Sequence, residues 1–465
     1  MPDWSDKILL AKKTAYMKLV LERGIILTFE DRDSIVRDGV LGISDDEIAF
    51  VGKEIPSWFA PDARINCDGC IIMPGLINTH VHLGEQALMG VLSAAGTSFE
   101  KMFYSLLFKL ERNINPELVY WASLLAATEA LKKGQTTVVD MYHHSEATAC
   151  AVEQIGLRAC IGQLIYGFSL RHPLKRGTFS FSYRDYEKQL ASALDFACKW
   201  NGRGDGRITT ALAPHATNTL EPSMLKEIAH VAKEHNAVIH MHVAQMKSEH
   251  EMVRTAYGCG CVELLDKTGI LDNRFIGAHA IFLEPREFQL LARDLITVVN
   301  NPISNARDGG LSAPIAELKK AGVRVGIGTD AFHFDLLEAA RFAVYIQRVR
   351  TADATLFSGY EVLRWITAES ADGLGLYDVG RLVPGCKADL IVIDCNGLDF
   401  DDNINLYEFI LHYISPFAMR LVLVNGKVII ENNKLITFDE EKIKKNFKKQ
   451  LKQWLPKIYK LCARL

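Results

Sequence analysis

A chain of 465 residues that is 49% hydrophobic can bury a large core, and its length fits two or three domains. The formal net charge of -3 gives no bulk electrostatic case for a nucleic-acid or membrane partner. No apolar run approaches the roughly 18 residues that a membrane span needs. The early stretch from Ile8 to Ala11 is too short for a signal peptide and runs into Lys12 and Lys13.

Ten cysteines are scattered without a regular framework, which fits reduced thiols and a cytoplasmic location. The close pairs Cys67/Cys70 and Cys259/Cys261 could form a metal or redox site. Neither has a second pair at zinc-site spacing, so both read as small apolar residues near turns.

In chain order, residues 1–14 read as a polar tail. Residues 15–70 read as short strands, with apolar runs at 16–21, 24–29, 39–43 and 48–52 bounded by charge and glycine. Between 71 and 378 the rhythm changes to short apolar runs alternating with helical stretches. The strands are expected at 70–80, 136–141, 158–164, 207–213, 237–243, 275–279, 296–300 and 323–329. Helices are expected at 117–133, 186–200, 222–234 and 314–321. Eight strands alternating with helices predict an α/β fold, a closed parallel (β/α)8 barrel in preference to a doubly wound sheet.

Strands return at 379–436, where a hairpin is expected around Asn425-Gly426. The two strand-rich flanks can join into one small β-domain built from both chain ends. Residues 437–465 read as a helix, with Ile443, Phe447, Leu451 and Leu455 on one stripe and Thr437 near its N-cap. The lysines opposite that stripe read as a solvated face.

The chemistry is carried by polar residues at the ends of the expected barrel strands. His80 and His82 lie two apart in Asn78-Thr-His-Val-His, so on a strand both imidazoles point the same way. His242, His279 and Asp330 end the fifth, sixth and eighth strands, on the barrel face where active sites form. Three imidazoles and a carboxylate suit zinc, with iron as the other option, and leave room for a water. A bound dication lowers that water's pKa towards about 7. His240 shares a face with His242 and reads as a packed neighbour.

At these residues the chain resembles the amidohydrolase superfamily, in its cytosine deaminase-like, atrazine/triazine hydrolase branch. The segments that carry the resemblance are Pro74-Gly-Leu-Ile-Asn-Thr-His-Val-His, Gly134-Gln-Thr-Thr-Val-Val-Asp-Met-Tyr, Ala213-Pro-His-Ala, Asn301-Pro-Ile-Ser-Asn, Gly328-Thr-Asp and Gly385-Cys-Lys-Ala-Asp-Leu-Ile-Val-Ile-Asp. It spans about residues 16 to 440. It implies a barrel with a composite β-sandwich, a homodimer, and one divalent metal held by His80, His82, His242 and Asp330. It further implies that Asp330 takes the proton from metal-bound water, that His279 orients or polarises a small heterocyclic substrate, and that His215 and Glu111 contact it.

The sequence departs from the branch where a proton shuttle is expected. A glutamate normally follows the fifth-strand histidine by three residues, and here the position is Gln245. A glutamine amide cannot cycle a proton near neutral pH. Asp330 can act as sole acid and base, Glu249 or Glu85 can replace the glutamate, or the chain can be a degenerate homologue without catalysis. Asn300 stands where a histidine is common, and the short loop after Asp330 brings His333 and Asp335 to the mouth. The expected activity is metal-dependent hydrolysis of a C–N or similar leaving-group bond on a nitrogen heterocycle. The alternative is a cyclic amide or imide hydrolase that uses Asp330 alone.

Overall fold

The computed structural model describes residues 18–89, 100, 103–170, 174–175, 178–395 and 404–462. The expected tail at 1–14 lies outside the described residues.

The chain enters through β1 (Leu19–Leu27), β2 (Ile35–Ser44), β3 (Glu47–Gly52), β4 (Ala63–Asn66) and β5 (Cys70–Pro74). It then crosses into β6 (Leu76–Val81), β7 (Gln135–Tyr142) and β8 (Arg158–Ile165). A short hairpin of β9 (Leu174–Lys175) and β10 (Thr178–Phe179) precedes β11 (Ile208–Pro214), β12 (Val238–Val243), β13 (Phe275–His279), β14 (Ile296–Asn300) and β15 (Arg324–Ile327). The chain ends with β16 (Leu390–Asp394), β17 (Met419–Val424), β18 (Lys427–Glu431), β19 (Lys434–Leu435) and a helix at Glu440–Cys462.

Strands β6, β7, β8 and β11 to β15 form an eight-stranded parallel sheet in sequence order. Val81 pairs with Asp330 across the first and last strands, and the Asp330 amide donates to the His80 carbonyl at 3.0 Å, so the sheet closes into a barrel. Ile77, Val139, Cys160, Ala211, Ile276, Ala278 and Val299 pack together inside it, against Ala371 and Leu374 of the helix Ala368–Leu374. The eight strands and the four predicted helices stand where the spacing placed them, within three residues at each end, with one exception.

That exception is the run 70–80, which reads as one strand and is two. Cys70–Pro74 pairs with β1 and β16 in the flanking sheet, whereas Leu76–Val81 belongs to the barrel. Gly75 is the joint, its amide bonded to the Asp389 carbonyl at 3.0 Å while the next amide, Leu76, bonds Gly134. A Cβ at Gly75 would sit 2.1 Å from the Thr136 hydroxyl, so the close approach demands glycine.

The flanking strands from both chain ends make one nine-stranded sheet, in the order β19-β18-β17-β16-β5-β1-β2-β3 with β4 beside β1. Its alternation divides two cores. Ile72, Leu390, Val392, Leu421 and Leu423 face the sheet's own apolar cluster, while Ile71, Met73, Ile391, Ile393, Val422 and Val424 face the main core with the barrel helices. The hairpin between β17 and β18 turns at Asn425 and Gly426, both at positive φ (47° and 69°), as the Asn-Gly pair predicts.

The C-terminal helix buries Ile443, Phe447 and also Trp454, whose indole donates to the Asn113 carbonyl at 2.9 Å. Its N-terminal amides, Glu441 and Lys442, are met by Asp439 rather than by Thr437. The Thr437 hydroxyl instead donates to the Ile155 carbonyl. No helix among the described residues is long and apolar enough to cross a membrane.

Candidate metal centre

The barrel's strand ends bring His80, His82, His242, His279 and Asp330 into one buried cluster. Asp330 Oδ1 lies 3.2 Å from His82 Nε2 and 3.5 Å from His80 Nε2. His242 Nε2 lies 3.3 Å from His82 Nε2. Ligand atoms bound at roughly 2.0–2.1 Å to one tetrahedral ion are about 3.3 Å apart, so these three separations fit a shared ion.

Each imidazole is turned inward by a bond on its far side. His82 Nδ1 donates to the Met141 carbonyl at 2.5 Å, and His242 Nδ1 to the His215 carbonyl at 2.9 Å. With those protons on Nδ1, the Nε2 lone pairs are left for a metal. His80 Nδ1 stands 2.9 Å from His240 Nε2, so His240 does more than pack: it fixes the ring of His80. His80 Nε2 itself is buried without a hydrogen-bond partner, as a ligand atom awaiting a cation would be.

The groups of the cluster differ in how readily they take a charge. Burial opposes charge on His82, but Asp330 outweighs burial and holds it up to about 10. Burial pushes His80 down to about 3. Burial also works against the Asp330 carboxylate, yet His80 and His82 hold it well below the usual range. An anion ringed by imidazoles keeps a positive charge beside it, and a dication meets the same need.

The helix Pro302–Arg307, directly after β14, supports the two residues expected to act on substrate. Ser304 donates to Asp330 Oδ2 at 2.6 Å, leaving Oδ1 towards the histidines. Asn305 Oδ1 lies 2.9 Å from His279 Nδ1, and His279 Nε2 is buried without a hydrogen-bond partner, 3.9 Å from Asp330 Oδ2. Both His279 (φ 78°) and Asp330 (φ 60°) hold left-handed backbone, a strained conformation that recurs at functional sites. Sequence reading quoted Ser304 and Asn305 within a motif and missed their partners.

The other predicted residues separate into two groups. His215 lies beside the cluster, its ring centroid 5.0 Å from that of His242 and stacked on Tyr166 at 4.6 Å, and burial pushes it down to about 3. Glu111 is buried, with His143 Nε2 3.3 Å from its carboxylate. Asn300 is buried at the end of β14, but its side chain bonds to none of these groups. His333 stands 3.4 Å from Glu338, away from the cluster, and Asp335 caps the helix Leu336–Thr351.

The region of the expected proton shuttle is equally informative. Gln245 is half-buried, and its backbone N–H donates to the Glu249 carboxylate at 2.8 Å. The other Glu249 oxygen accepts from the Thr217 hydroxyl, so this carboxylate anchors a loop and is not free to carry protons. Glu85 is buried in the short helix Leu83–Leu88 that follows His82, and burial pushes it up to about 8. Asp140, whose carboxylate holds the Leu83 amide at 2.7 Å, fixes the turn out of His82.

Comparison with known proteins agrees with this geometry. The Amidohydrolase family model matches residues 71–429. A 5-methylthioadenosine/S-adenosylhomocysteine deaminase of Pelotomaculum thermopropionicum is 33% identical over 431 residues, covering 91% of this chain and 96% of the relative. Another of that name, from Halothermothrix orenii, is 32% identical over 92% of this chain and 97% of its own length. Among solved structures, a zinc-bound adenosine deaminase of Xanthomonas campestris superposes with a TM-score of 0.84 at 25% identity, covering 96% of this chain and 99% of its own. Atrazine chlorohydrolase TrzN of Arthrobacter aurescens TC1, also with zinc, shares the fold with a TM-score of 0.85 at 23% identity, covering 93% of this chain and 100% of its own. A closed barrel with a metal-spaced His/Asp cluster, matched along most of its length by these relatives, belongs to the amidohydrolase family.

Proposed function

We propose that this chain removes an amino group, or a similar leaving group, from a small nitrogen heterocycle, with one zinc ion held by His80, His82, His242 and Asp330. The observation that carries it is the separation of Asp330 Oδ1 from Nε2 of His82 (3.2 Å) and of His80 (3.5 Å), matched by the 3.3 Å between His82 and His242. When bound, the ion supplies a Lewis acid and a water acidic enough to react near neutral pH. Asp330, oriented by Ser304, accepts the attacking water's proton. His279, steadied by Asn305, holds the substrate beside that carboxylate. His215 and Glu111 line the substrate's side of the cluster.

Asp330 also returns the proton to the leaving group, because Gln245 cannot and Glu249 is occupied. Glu85 is the second candidate acid, a buried carboxyl that burial pushes up to about 8. The glutamine at 245 also favours a second reading, hydrolysis of a cyclic amide or imide with Asp330 as sole acid and base. The nine cysteines from Cys67 to Cys395 form no disulfide, in keeping with a cytoplasmic setting, and the family resemblance supports a homodimer.

Zinc-loaded protein screened against purines, pyrimidines, pterins, triazines and cyclic imides tests these readings, with ammonia release and ring opening followed together. Ammonia release that is lost in Asp330→Asn supports the deaminase. Ring opening without ammonia selects the cyclic amide reading. A chain that takes up no zinc and turns over none of these compounds overturns both.

A further inference from the structure

The backbone pairs loosely where the first barrel strand meets the last. The β6–β7 ladder slips between Asn78 and Val81. On its other side, β6 meets the segment after β15 through one bridge, Val81 to Asp330. The backbone N–H groups of Thr329 and Asp330 both converge on the His80 carbonyl, at 3.2 and 3.0 Å. Regular sheet pairing therefore does not by itself fix Asp330 against His80 and His82.

One buried side chain fills that gap. Asn78 is fully buried and uses its whole side-chain amide. Its Oδ1 accepts from the backbone N–H of Thr329 at 3.2 Å and of His80 at 3.3 Å. Its Nδ2 donates to the Thr329 hydroxyl at 2.7 Å and to Gln135 Oε1 at 3.0 Å. Two donors and two acceptor sites are all that such an amide has to offer. Gln135, on β7, in turn donates to the Phe334 carbonyl, beyond Asp330. Asp330 is thus bracketed, by Thr329 on one side and Phe334 on the other. A Cβ at Gly328 would lie 2.8 Å from the His80 carbonyl oxygen, so glycine lets the two segments approach this closely. Asp330 holds left-handed backbone (φ 60°), and such a residue keeps its conformation only where its surroundings over-determine it. Asn78 supplies that constraint by gripping both the backbone N–H and the hydroxyl of the residue before it. An aspartate here would have no protons to donate, and an apolar residue would strand the buried groups of Gln135 and Thr329.

Resting on the metal reading above, we propose that Asn78 is a positioning residue. Acting through Thr329, and without being a ligand, it holds the Asp330 carboxylate at the distance from His80 and His82 that one shared ion requires.

Competition with a chromophoric chelator measures the zinc affinity of the full chain in the parent, Asn78→Ala, Thr329→Val and Glu440→Gln, the last a distant substitution outside this network. Loss of a group that orients metal ligands costs about ten- to a hundredfold in affinity, and that loss is expected in Asn78→Ala. Thr329→Val removes a single bond to Asn78 and is expected to cost about threefold or more. Glu440→Gln is expected to bind zinc as the parent does. The visible spectrum of the cobalt(II)-loaded chain follows coordination geometry, and is expected to change in Asn78→Ala and Thr329→Val but not in Glu440→Gln. Parent affinity and parent spectrum in a folded Asn78→Ala overturn the proposal, and the same result in Thr329→Val overturns it if Asn78→Ala does not fold. An equal fall in Glu440→Gln also overturns it, since general destabilisation then accounts for the loss. A parent chain that takes up no zinc overturns the metal reading and this proposal with it. A parent that binds zinc, beside variants at Asn78 and Thr329 that bind it equally well, overturns this proposal alone.

Discussion

Arg158, at the start of β8, grips Asp389 through two bonds of 2.6 and 3.1 Å, joining barrel to flanking sheet across 231 residues of sequence. Both are buried, and Asp389 also accepts from the Asn425 amide at 2.7 Å, at the tip of the β17–β18 hairpin. Removing one partner strands the other's charge in the interior. Arg158→Ala or Asp389→Ala is therefore expected to cost about 3–5 kcal/mol of unfolding free energy. Urea denaturation measures it. A loss under about 1 kcal/mol would show that water reaches the pair.

Ser304 holds Asp330 Oδ2 and receives a bond from Arg307 at 3.1 Å. Ser304→Ala frees the Asp330 carboxylate to rotate while leaving the three histidines in place. The expected result is a fall in kcat of about tenfold or more with KM changed little, as for loss of one charge-assisted hydrogen bond. Ser304→Thr should restore most of it. A kcat that stays at the parent value would remove Ser304 from the catalytic account.

Gln245→Glu introduces a carboxyl where related enzymes of the branch carry one. If proton delivery limits deamination, kcat rises, by about tenfold or more for a positioned acid. If cleavage of a cyclic amide is the natural reaction, ring opening should be unchanged or slower. The two substrates assayed side by side on one variant separate these cases.

Removing the metal should weaken the fold as well as the activity. The buried imidazoles and carboxylate of the cluster then face one another without a dication between them. Dialysis against a chelator is expected to lower the melting temperature, and zinc at a hundredfold excess over Kd to return about 2.7 kcal/mol. A melting curve indifferent to zinc would contradict the assignment of the four ligands.

Glu440 opens the C-terminal helix with its oxygens on the Leu435 amide (2.9 Å) and the Lys132 ammonium (2.6 Å). Burial alone would raise its pKa; these two donors outweigh burial and lower it below 4.5. Its contribution is therefore complete above that unfolded value and is lost as pH falls through the lower folded one. Glu440→Gln should cost about 1 kcal/mol at pH 7 and almost nothing at about pH 3. Parallel thermal melts at the two pH values provide the comparison.

The barrel was legible because its strands keep a local signature: short, β-branched and closely followed by helix. The buried His/Asp cluster was legible for the same reason, its members standing at the ends of those runs. What the sequence hid was contact between distant segments. Nothing around Asn301-Pro-Ile-Ser-Asn says that Ser304 reaches Asp330 or that Asn305 reaches His279. Glu249 resembled a spare acid until Thr217, 32 residues earlier, was found on it. The single run 70–80 hid a change of partner at Gly75, because hydrophobic alternation records burial and not which sheet supplies it.

That change of partner ties the two domains mechanically. Only four residues lie between Gly75 and His80, with no slack loop to absorb displacement. Any shear of the flanking sheet against the barrel pulls straight along β6 onto two of the four proposed ligands. Ion and sheet should come apart together on unfolding, so a chain trimmed of its terminal strands would lose its grip on zinc even with every ligand still present.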